Sequence, residues 1–527
     1  MTTTLEPPRR IAAVSVIAMT IAGGVARSST LLSQILVGLF VTEREVGTYA
    51  VAVGITGLTC VFRGGGASLY LPSIRRDEFD SSAGRIFWWG LAFRILCSIL
   101  TFGAALALPH LDLADPPPRL AETLQIFAVS QLVLAFSIVG RIRMSVQQRF
   151  TELARLDIVT SLCRVAATAI LAWGGAGPLA LVIPIALAPL VELGYYILNG
   201  TLGSISYRWV GGTLRQTAVL MAMPAVASIL IALNSQLNFL IVKPMLVLAS
   251  MGVYYFAYQL ASQPSLLIAT PLTNVLATHF AAERGDPERE SRAIVSIGGG
   301  AVLFSSLLSC GMIAVFPAAD RLLWAGKWSE AVIPIVALGG SACWSTAVGI
   351  ISPALAGLRR FRAMALFEAL KGIGIFSGAA LGALVVGLSH EGRIELPESL
   401  ALDSTLVSIS TGAMVSVMSI AQLMWLMRTH GAGATAVAKV LVQGPVLSAV
   451  AAVVAYTVAT QSVQYLPAAI SGGSVRTLAF AECVIGGTVY AVSALFILRF
   501  AAAGSLRDAV AVLPGRPRSL AERFLRL

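Results

Sequence analysis

Apolar stretches of about twenty residues recur along the whole chain and are separated by short polar segments rich in arginine. An α-helix needs about 20 apolar residues to cross the hydrocarbon core of a bilayer. The pattern therefore predicts an all-α polytopic membrane protein with about fourteen transmembrane helices. The predicted spans are residues 11–41, 46–71, 84–108, 120–145, 155–174, 178–199, 215–241, 250–280, 292–316, 331–357, 362–388, 403–428, 436–460 and 477–500.

Composition supports this class of protein and argues against several others. Hydrophobic residues make up 57% of the chain and charged residues 12%, whereas a soluble domain has about 25% charged residues. The predicted loops are too short to hold a soluble catalytic domain. Basic residues form short clusters without a long basic run, so no nucleic acid is expected as a partner. The six cysteines all lie in apolar segments and the four histidines are isolated, so we expect no disulfide, metal or cofactor.

The distribution of basic residues predicts an orientation in the membrane. With the N-terminus in the cytoplasm, 25 of the 37 lysines and arginines lie in segments that face the cytoplasm and 7 lie in outer loops. Such an asymmetry is typical of multi-pass proteins, and it predicts that both termini are cytoplasmic. Arginines alternate with leucine, valine and phenylalanine over residues 501–527. This tail is predicted either as a pair of amphipathic helices on the inner leaflet or as a frayed end.

A weak internal repeat links the first predicted helix to the seventh. Leu32-Ser33-Gln34 precedes a segment around Gly47, and Asn234-Ser235-Gln236 precedes a similar segment around Gly252. The two glycines are separated by nearly the same number of residues as the starts of spans one and seven. Parallel repeats of six helices are a recurring design among transporters, so the pattern indicates a transporter-like organisation.

Four arginines interrupt predicted spans in the first part of the chain: Arg27, Arg63, Arg94 and Arg164. A charge in a lipid-spanning helix is costly and by default marks a substrate or ion path. We expect at least two of the four to line a water-filled cavity that favours an anion. The alternative for Arg27 is a structural pair with an acid or backbone carbonyls of another span, and for Arg94 and Arg164 it is a pair with an acid such as Asp157 or Glu192. Arg63 precedes three glycines, which indicate either a helix break beside a cavity or the end of the span.

Three short motifs resemble those of Wzx-type polysaccharide flippases. The stretch from Gly38 to Ala50, with an acidic turn followed by Gly47-Thr48-Tyr49, resembles their first hairpin. Residues 251–257 followed by Pro264 resemble the matching start of their eighth helix, and Gly326-Lys327-Trp328 is similar to a Gly-x-x-Trp element of an outer loop. The order and spacing of these motifs carry the resemblance over most of the chain.

Wzx-type flippases belong to the superfamily of multidrug, oligosaccharidyl-lipid and polysaccharide exporters. The resemblance implies two six-helix lobes around a central cavity, over residues 1–200 and 201–430, with two additional helices over 431–500 and a cytoplasmic tail over 501–527. It implies a bacterial inner-membrane flippase, not an enzyme, that moves a polyprenyl-pyrophosphate-linked oligosaccharide from the inner to the outer leaflet by alternating access. The implied partners are this lipid-linked glycan, membrane lipids, a polysaccharide polymerase and export machinery.

Such a cargo carries an anionic pyrophosphate and polar sugars, which sets the types of residue that could bind it. Guanidinium groups bind phosphate through bidentate, charge-assisted hydrogen bonds. The cationic contact is predicted at Arg27, with Arg63 as its companion and Arg164 and Arg94 as further candidates. Sugar contacts are predicted at five amides: Gln34, Asn234, Gln236, Gln259 and Gln263. The alternative for the amides is hydrogen bonding between helices.

The embedded acids are candidates for energy coupling. Glu192 and Glu482 could each carry a coupling proton, with solvation near the membrane interface as the alternative. Glu368 and Lys371 are three residues apart on one helix face and are predicted to neutralise each other.

Two other functions compete with the flippase interpretation. One is a secondary transporter of a small solute, and a MATE-like antiporter for small organic cations would have acids in its cavity and about twelve helices. A membrane-embedded glycosyltransferase or polymerase would require paired catalytic carboxylates or a sizeable outer loop. The deepest charges in this sequence are basic, which favours an anionic cargo.

Overall fold

The computed structural model describes residues 8–70, 76–110, 117–147, 149–202, 208–209, 212–236, 238–244, 246–282, 287–357, 360–393, 403–465 and 475–501. The predicted amphipathic tail over 501–527 lies, apart from its first residue, outside this part of the chain.

Long helices dominate the described residues. Fourteen of them have 17 or more residues: α1 (Pro8–Phe40), α2 (Glu43–Thr59), α3 (Arg76–Ala107), α4 (Leu120–Val146), α5 (Phe150–Trp173), α6 (Leu179–Leu198), α7 (Leu214–Gln236), α8 (Leu248–Ala282), α9 (Pro287–Ala319), α10 (Val332–Gly357), α11 (Phe361–His390), α12 (Asp403–Thr429), α13 (Ala434–Gln464) and α14 (Val475–Phe496). Eleven, α3 to α7 and α9 to α14, are long and apolar enough to cross a membrane. The prediction of an all-α polytopic membrane protein is confirmed.

The helices pack into two compact units. The first comprises Met1–Lys243 and Arg359–Glu368, and the second comprises Pro244–Leu358 and Ala369–Leu527. In the first unit α1 packs on α5, and α4 packs on α3 and α6. In the second unit α10 packs on α8, α9 and α12, while α13 and α14 pack on each other and on α9. Packing thus groups α7 with the first unit, and the lobe boundaries implied by the resemblance stay a prediction.

The acidic turn at the start of α2 is a helix cap. The Thr42 side chain accepts a hydrogen bond from Glu45 N at 3.3 Å, and Glu45 Oε2 accepts one from Thr42 N at 2.9 Å. This reciprocal capping box satisfies two backbone donors that the first turn of a helix leaves without partners. Helix capping therefore accounts for Thr42 and Glu45 in the motif that resembles a flippase hairpin.

A glycine turn interrupts the predicted span over 46–71. The helix α2 ends at Thr59, and Gly64, Gly65 and Gly66 have φ angles of 72°, 49° and 84°. These left-handed conformations are accessible to glycine at little cost. A Cβ on Gly66 would lie 2.5 Å from Ala225 N, so α7 also packs too closely to admit a side chain there. The three glycines therefore interrupt the predicted span over 46–71, and a helix break is one of the two outcomes that the sequence indicated.

A second break corrects the predicted span over 215–241. The helix α7 ends at Gln236, and a short helix covers Asn238–Val242. Both pieces lie against two glycines of α2, because a Cβ on Gly57 would be 2.5 Å from Gln236 Cβ and one on Gly54 would be 2.8 Å from Leu240 Cγ. Small residues allow such close approach between membrane helices.

The Gly326-Lys327-Trp328 motif forms a buried corner in the second unit. The Trp328 ring is fully buried and stacks on Phe256 with the ring centroids 3.9 Å apart. Its backbone N–H donates to Asp320 Oδ1 at 3.0 Å, and Gly326 has a φ of 80°. Phe256 belongs to the 251–257 motif, so two of the motifs that carry the resemblance are packed together.

We expect Gly66→Ala to destabilise the fold. The new side chain would combine a left-handed backbone with overpacking against α7, at a combined cost of about 2–4 kcal/mol. Thermal unfolding of the purified protein in detergent should show a lower Tm. Gly103→Ala is the matched control, since nothing lies within 4 Å of its Cβ position in α3. Equal Tm values for the two variants would contradict this account of the turn.

Candidate functional site

Two arginines lie close together in the first unit, where α1 packs on α5. Arg164 Nη2 donates to Thr30 Oγ1 at 2.6 Å, and Thr30 in turn donates to Ala26 O at 2.9 Å. Arg27 is three residues before Thr30 on the same helix face. Arg27 and Arg164 are both half-buried, and their positive charges act on each other. The contact between α1 and α5 therefore concentrates positive charge at one place.

Electrostatic repulsion makes this pair a candidate anion site. Within the described part of the chain, Arg164 has its hydrogen bond to Thr30 and no ion pair. The buried Tyr49 is near enough for its phenol to interact with Arg164. Like charges repel more strongly in a low-dielectric environment, and an anion shared between two guanidinium groups would relieve that repulsion.

Arg94 has a different environment from the pair. Its side chain is 5% exposed, and Nη1 donates to Gln131 Oε1 of α4 at 3.3 Å. A Cβ on Gly64 would lie 3.8 Å from Arg94 Nη2, which places this guanidinium behind the glycine turn. The Arg63 side chain lies outside the described residues. Of the other three predicted arginines, the structure therefore places Arg164 beside Arg27. Binding roles for Arg63 and Arg94 stay predictions.

The acids expected as alternative partners of Arg94 and Arg164 are bound by another arginine. Arg141 of α4 donates to Asp157 Oδ1 and Oδ2 at 2.7 and 2.9 Å, and to Glu192 Oε1 at 3.3 Å. Arg141 lies near the end of α4, next to the first turns of α5 and the last turns of α6, where both acids are in reach.

Two of the predicted sugar-binding amides take part in helix contacts. Asn234 is 3% exposed, and its Nδ2 donates to Glu368 O at 2.8 Å and to Glu368 Oε2 at 3.0 Å. Gln236 packs against Gly57 as described above. Glu368 thus has a partner on α7 that the sequence did not reveal, while its predicted pairing with Lys371 stays a prediction. Gln34 is half-buried on α1.

The amides of α8 form a chain along the helix. Gln259 Nε2 donates to Tyr255 Oη at 2.6 Å, and Gln263 Nε2 donates to Gln259 O at 3.1 Å. Gln263 is 3% exposed, and its Oε1 has no hydrogen-bond partner among the described residues. An unsatisfied acceptor of this kind suits a hydroxyl donor. Sugar binding by Gln259 and Gln263 stays a prediction.

Glu482 holds one of the two C-terminal helices in place. Its carboxylate accepts a hydrogen bond from the Arg321 guanidinium, so α14 is linked to the segment that follows α9. Tyr490 of α14 also donates to Leu307 O at 2.6 Å. These contacts support a structural role for Glu482, and its predicted role in coupling remains untested.

Taken together, the apolar helices define a multi-pass membrane protein with charges embedded among its helices. The family described as polysaccharide biosynthesis protein matches residues 30–333. That match covers more than half of the chain, and the protein belongs to this family. No curated protein sequence matches the chain.

Solved membrane transporters share this fold. The lipid II flippase MurJ in its inward closed conformation aligns with a TM-score of 0.66 and 13% identity, over 92% of this chain and 99% of MurJ. MATE in complex with MaL6 aligns with a TM-score of 0.56 and 15% identity, over 83% and 100% of the two chains. A MOP superfamily transporter from Pyrococcus furiosus aligns with a TM-score of 0.55 and 15% identity, over 81% and 96%. The superfamily resemblance seen in the sequence is confirmed at the level of the fold.

We expect Arg94→Gln and Arg164→Gln to affect stability differently. The Arg94 variant breaks a buried contact behind the glycine turn and should lower the free energy of unfolding by about 1–3 kcal/mol. The Arg164 variant removes a charge that is repelled by Arg27 and should keep its Tm. Thermal unfolding of both proteins in one detergent checks this. A similar loss of Tm in both would make Arg164 a structural residue.

Proposed function

We propose that the protein is a flippase for a polyprenyl-pyrophosphate-linked oligosaccharide, which it moves from the inner to the outer leaflet for polysaccharide export. The observation that carries the proposal is the proximity of Arg27 and Arg164 on α1 and α5. Membership of the polysaccharide biosynthesis family and a fold shared with a lipid II flippase support it.

The chemistry of the arginine pair suits a pyrophosphate. Each guanidinium offers a planar set of donors that matches two phosphate oxygens, and two such groups match the charge of a diphosphate. Thr30 and Tyr49 add hydroxyl groups near Arg164. In this proposal Arg27 and Arg164 line a water-filled cavity. The amides Gln34, Gln259 and Gln263 contact the sugars.

The transport cycle follows from the asymmetry of the cargo. Its polar head must cross the hydrocarbon core while its polyprenyl tail stays in lipid, which requires a cavity that opens alternately to each side. The proposed setting is the bacterial inner membrane with both termini in the cytoplasm, where the basic loops favour that orientation. A polysaccharide polymerase and export machinery would use the cargo on the outer side.

A secondary transporter of a small solute is the second candidate, because MATE proteins share the fold. The sign of the charge separates the two proposals. A cavity for organic cations would present carboxylates, whereas the pair on α1 and α5 presents guanidinium groups. The same pair of guanidinium groups would also suit a transporter of small anions. Such a transporter would not require lipid-linked intermediates.

We expect Arg27→Ala to abolish polymer export while the protein inserts at its normal level. Surface polysaccharide should fall to background and lipid-linked oligosaccharide should accumulate, because the cargo loses half of its cationic contact. Arg27→Lys should keep part of the export, since it retains the charge without the bidentate geometry. Arg44→Ala, at an exposed position in the first turn of α2, serves as the control. Full export by the Arg27→Ala protein would contradict the proposal.

We also expect positions 27 and 164 to be accessible to water. In a variant without the six native cysteines, Arg27→Cys and Arg164→Cys should react with a membrane-impermeant thiol reagent. Ala22→Cys is the matched control, because Ala22 lies on the same helix and is fully buried. If neither arginine position reacts from either side of the membrane, the pair has a structural role and does not line a cavity.

A further inference from the structure

A groove opens between two helices of the first unit, at the end where α11 begins. It is lined by Met223 of α7 and by residues 360–363, and its volume is about 430 Å³. Residues 359–368 pack with the first unit, so both walls of the groove belong to the same compact unit. Clefts that hold small ligands have volumes of about 300–1,000 Å³. The groove is therefore large enough to hold a substantial part of a ligand.

The groove is closed at one end by a contact between its two helices. Asn234 of α7 donates to Glu368 O at 2.8 Å and to Glu368 Oε2 at 3.0 Å. Glu368 lies about two turns beyond Phe361, and Asn234 lies about three turns beyond Met223. The two helices are thus joined at Asn234 and Glu368, and they leave a gap at the level of Met223 and Phe361.

An apolar wall and a basic rim face each other across this groove. Met223 is 41% exposed and Phe361 is half-buried. The side chains of Arg360 and Arg362 are exposed, and Arg362 has no ion pair in the described part of the chain. No acidic side chain is among the described residues that line the groove. A ligand that complements it must therefore carry negative charge next to an apolar part.

The position of the groove in the membrane selects the class of ligand. Both α7 and α11 are long and apolar enough to span a bilayer, and Arg360 immediately precedes the span of α11. The two arginines thus lie at one boundary of the membrane, on the side that the basic loops predict to be cytoplasmic. Arginines that only set the orientation of the chain need no cavity beside them. Basic pockets between membrane helices, in contrast, commonly bind the headgroups of anionic lipids.

We propose that this groove is a binding site for an anionic phospholipid. The lipid phosphate accepts charge-assisted hydrogen bonds from the Arg360 and Arg362 guanidinium groups. One acyl chain lies along Met223 and Phe361 and fills the gap between α7 and α11. The inference does not rest on the proposed cargo, because Arg27 and Arg164 lie on other helices.

Native mass spectrometry of the full-length protein tests the site. The protein is released from micelles that contain phosphatidylglycerol and phosphatidylcholine in equal amounts, and the wild type should retain phosphatidylglycerol in preference. The double variant Arg360→Gln/Arg362→Gln should bind phosphatidylglycerol roughly 25-fold more weakly, which is about fivefold for each charge removed. Arg208→Gln/Lys439→Gln is the matched control. It removes two exposed charges from the same predicted side of the membrane, outside the groove, and should bind lipid as the wild type does.

A second variant decides the question if the double arginine variant does not fold. Met223→Trp keeps both arginines and fills the apolar part of the groove, so it should also lose the lipid. Glycerol 3-phosphate, which has no acyl chains, should not displace phosphatidylglycerol. Equal retention of the two lipids by the wild type overturns the proposal, as does wild-type retention of phosphatidylglycerol by either folded groove variant. Displacement by glycerol 3-phosphate also overturns it, because the site would then recognise a free phosphate and not a lipid.

Discussion

A charge between membrane helices must be paired, bonded to polar groups or exposed to water, and this constraint accounts for much of the described structure. Arg141 binds two carboxylates, and Arg321 binds Glu482 to hold α14 in place. Arg27 and Arg164 bring two charges of the same sign together, and Arg164 is bonded to the Thr30 hydroxyl. Repulsion between the two guanidinium groups opposes that arrangement, which is why the pair on α1 and α5 is the place where we expect function.

Two polar contacts lie at corresponding positions of the predicted internal repeat. Arg164 bonds to Thr30, which joins the fifth helix to the first. Asn234 bonds to Glu368, which joins the eleventh helix to the seventh. These are the fifth and first helices of the two predicted repeats, so the same pair of helices is linked by a polar contact in each. The charged partner is basic in the first contact and acidic in the second.

Close helix packing sets the geometry around these contacts. Lipid gives no hydrophobic drive for helices to associate, so van der Waals packing across small residues and hydrogen bonds between helices hold them together. Gly54 and Gly57 admit the broken end of α7, and Gly66 admits its middle. The same helix carries Asn234, so the glycines of α2 and of the turn after it fix the position from which Asn234 reaches Glu368.

The sequence by itself determined the fold class and the number of long helices, because membrane spans are local features set by about twenty consecutive apolar residues. It also marked Arg27 and Arg164 as unusual, since a charge within an apolar run is visible without any knowledge of contacts. Only the tertiary structure decided which charges meet. Arg141 is the clearest case, because its partners Asp157 and Glu192 come from two other helices. The end of α7 was also beyond the sequence, because that break lies where α7 approaches the glycines of α2.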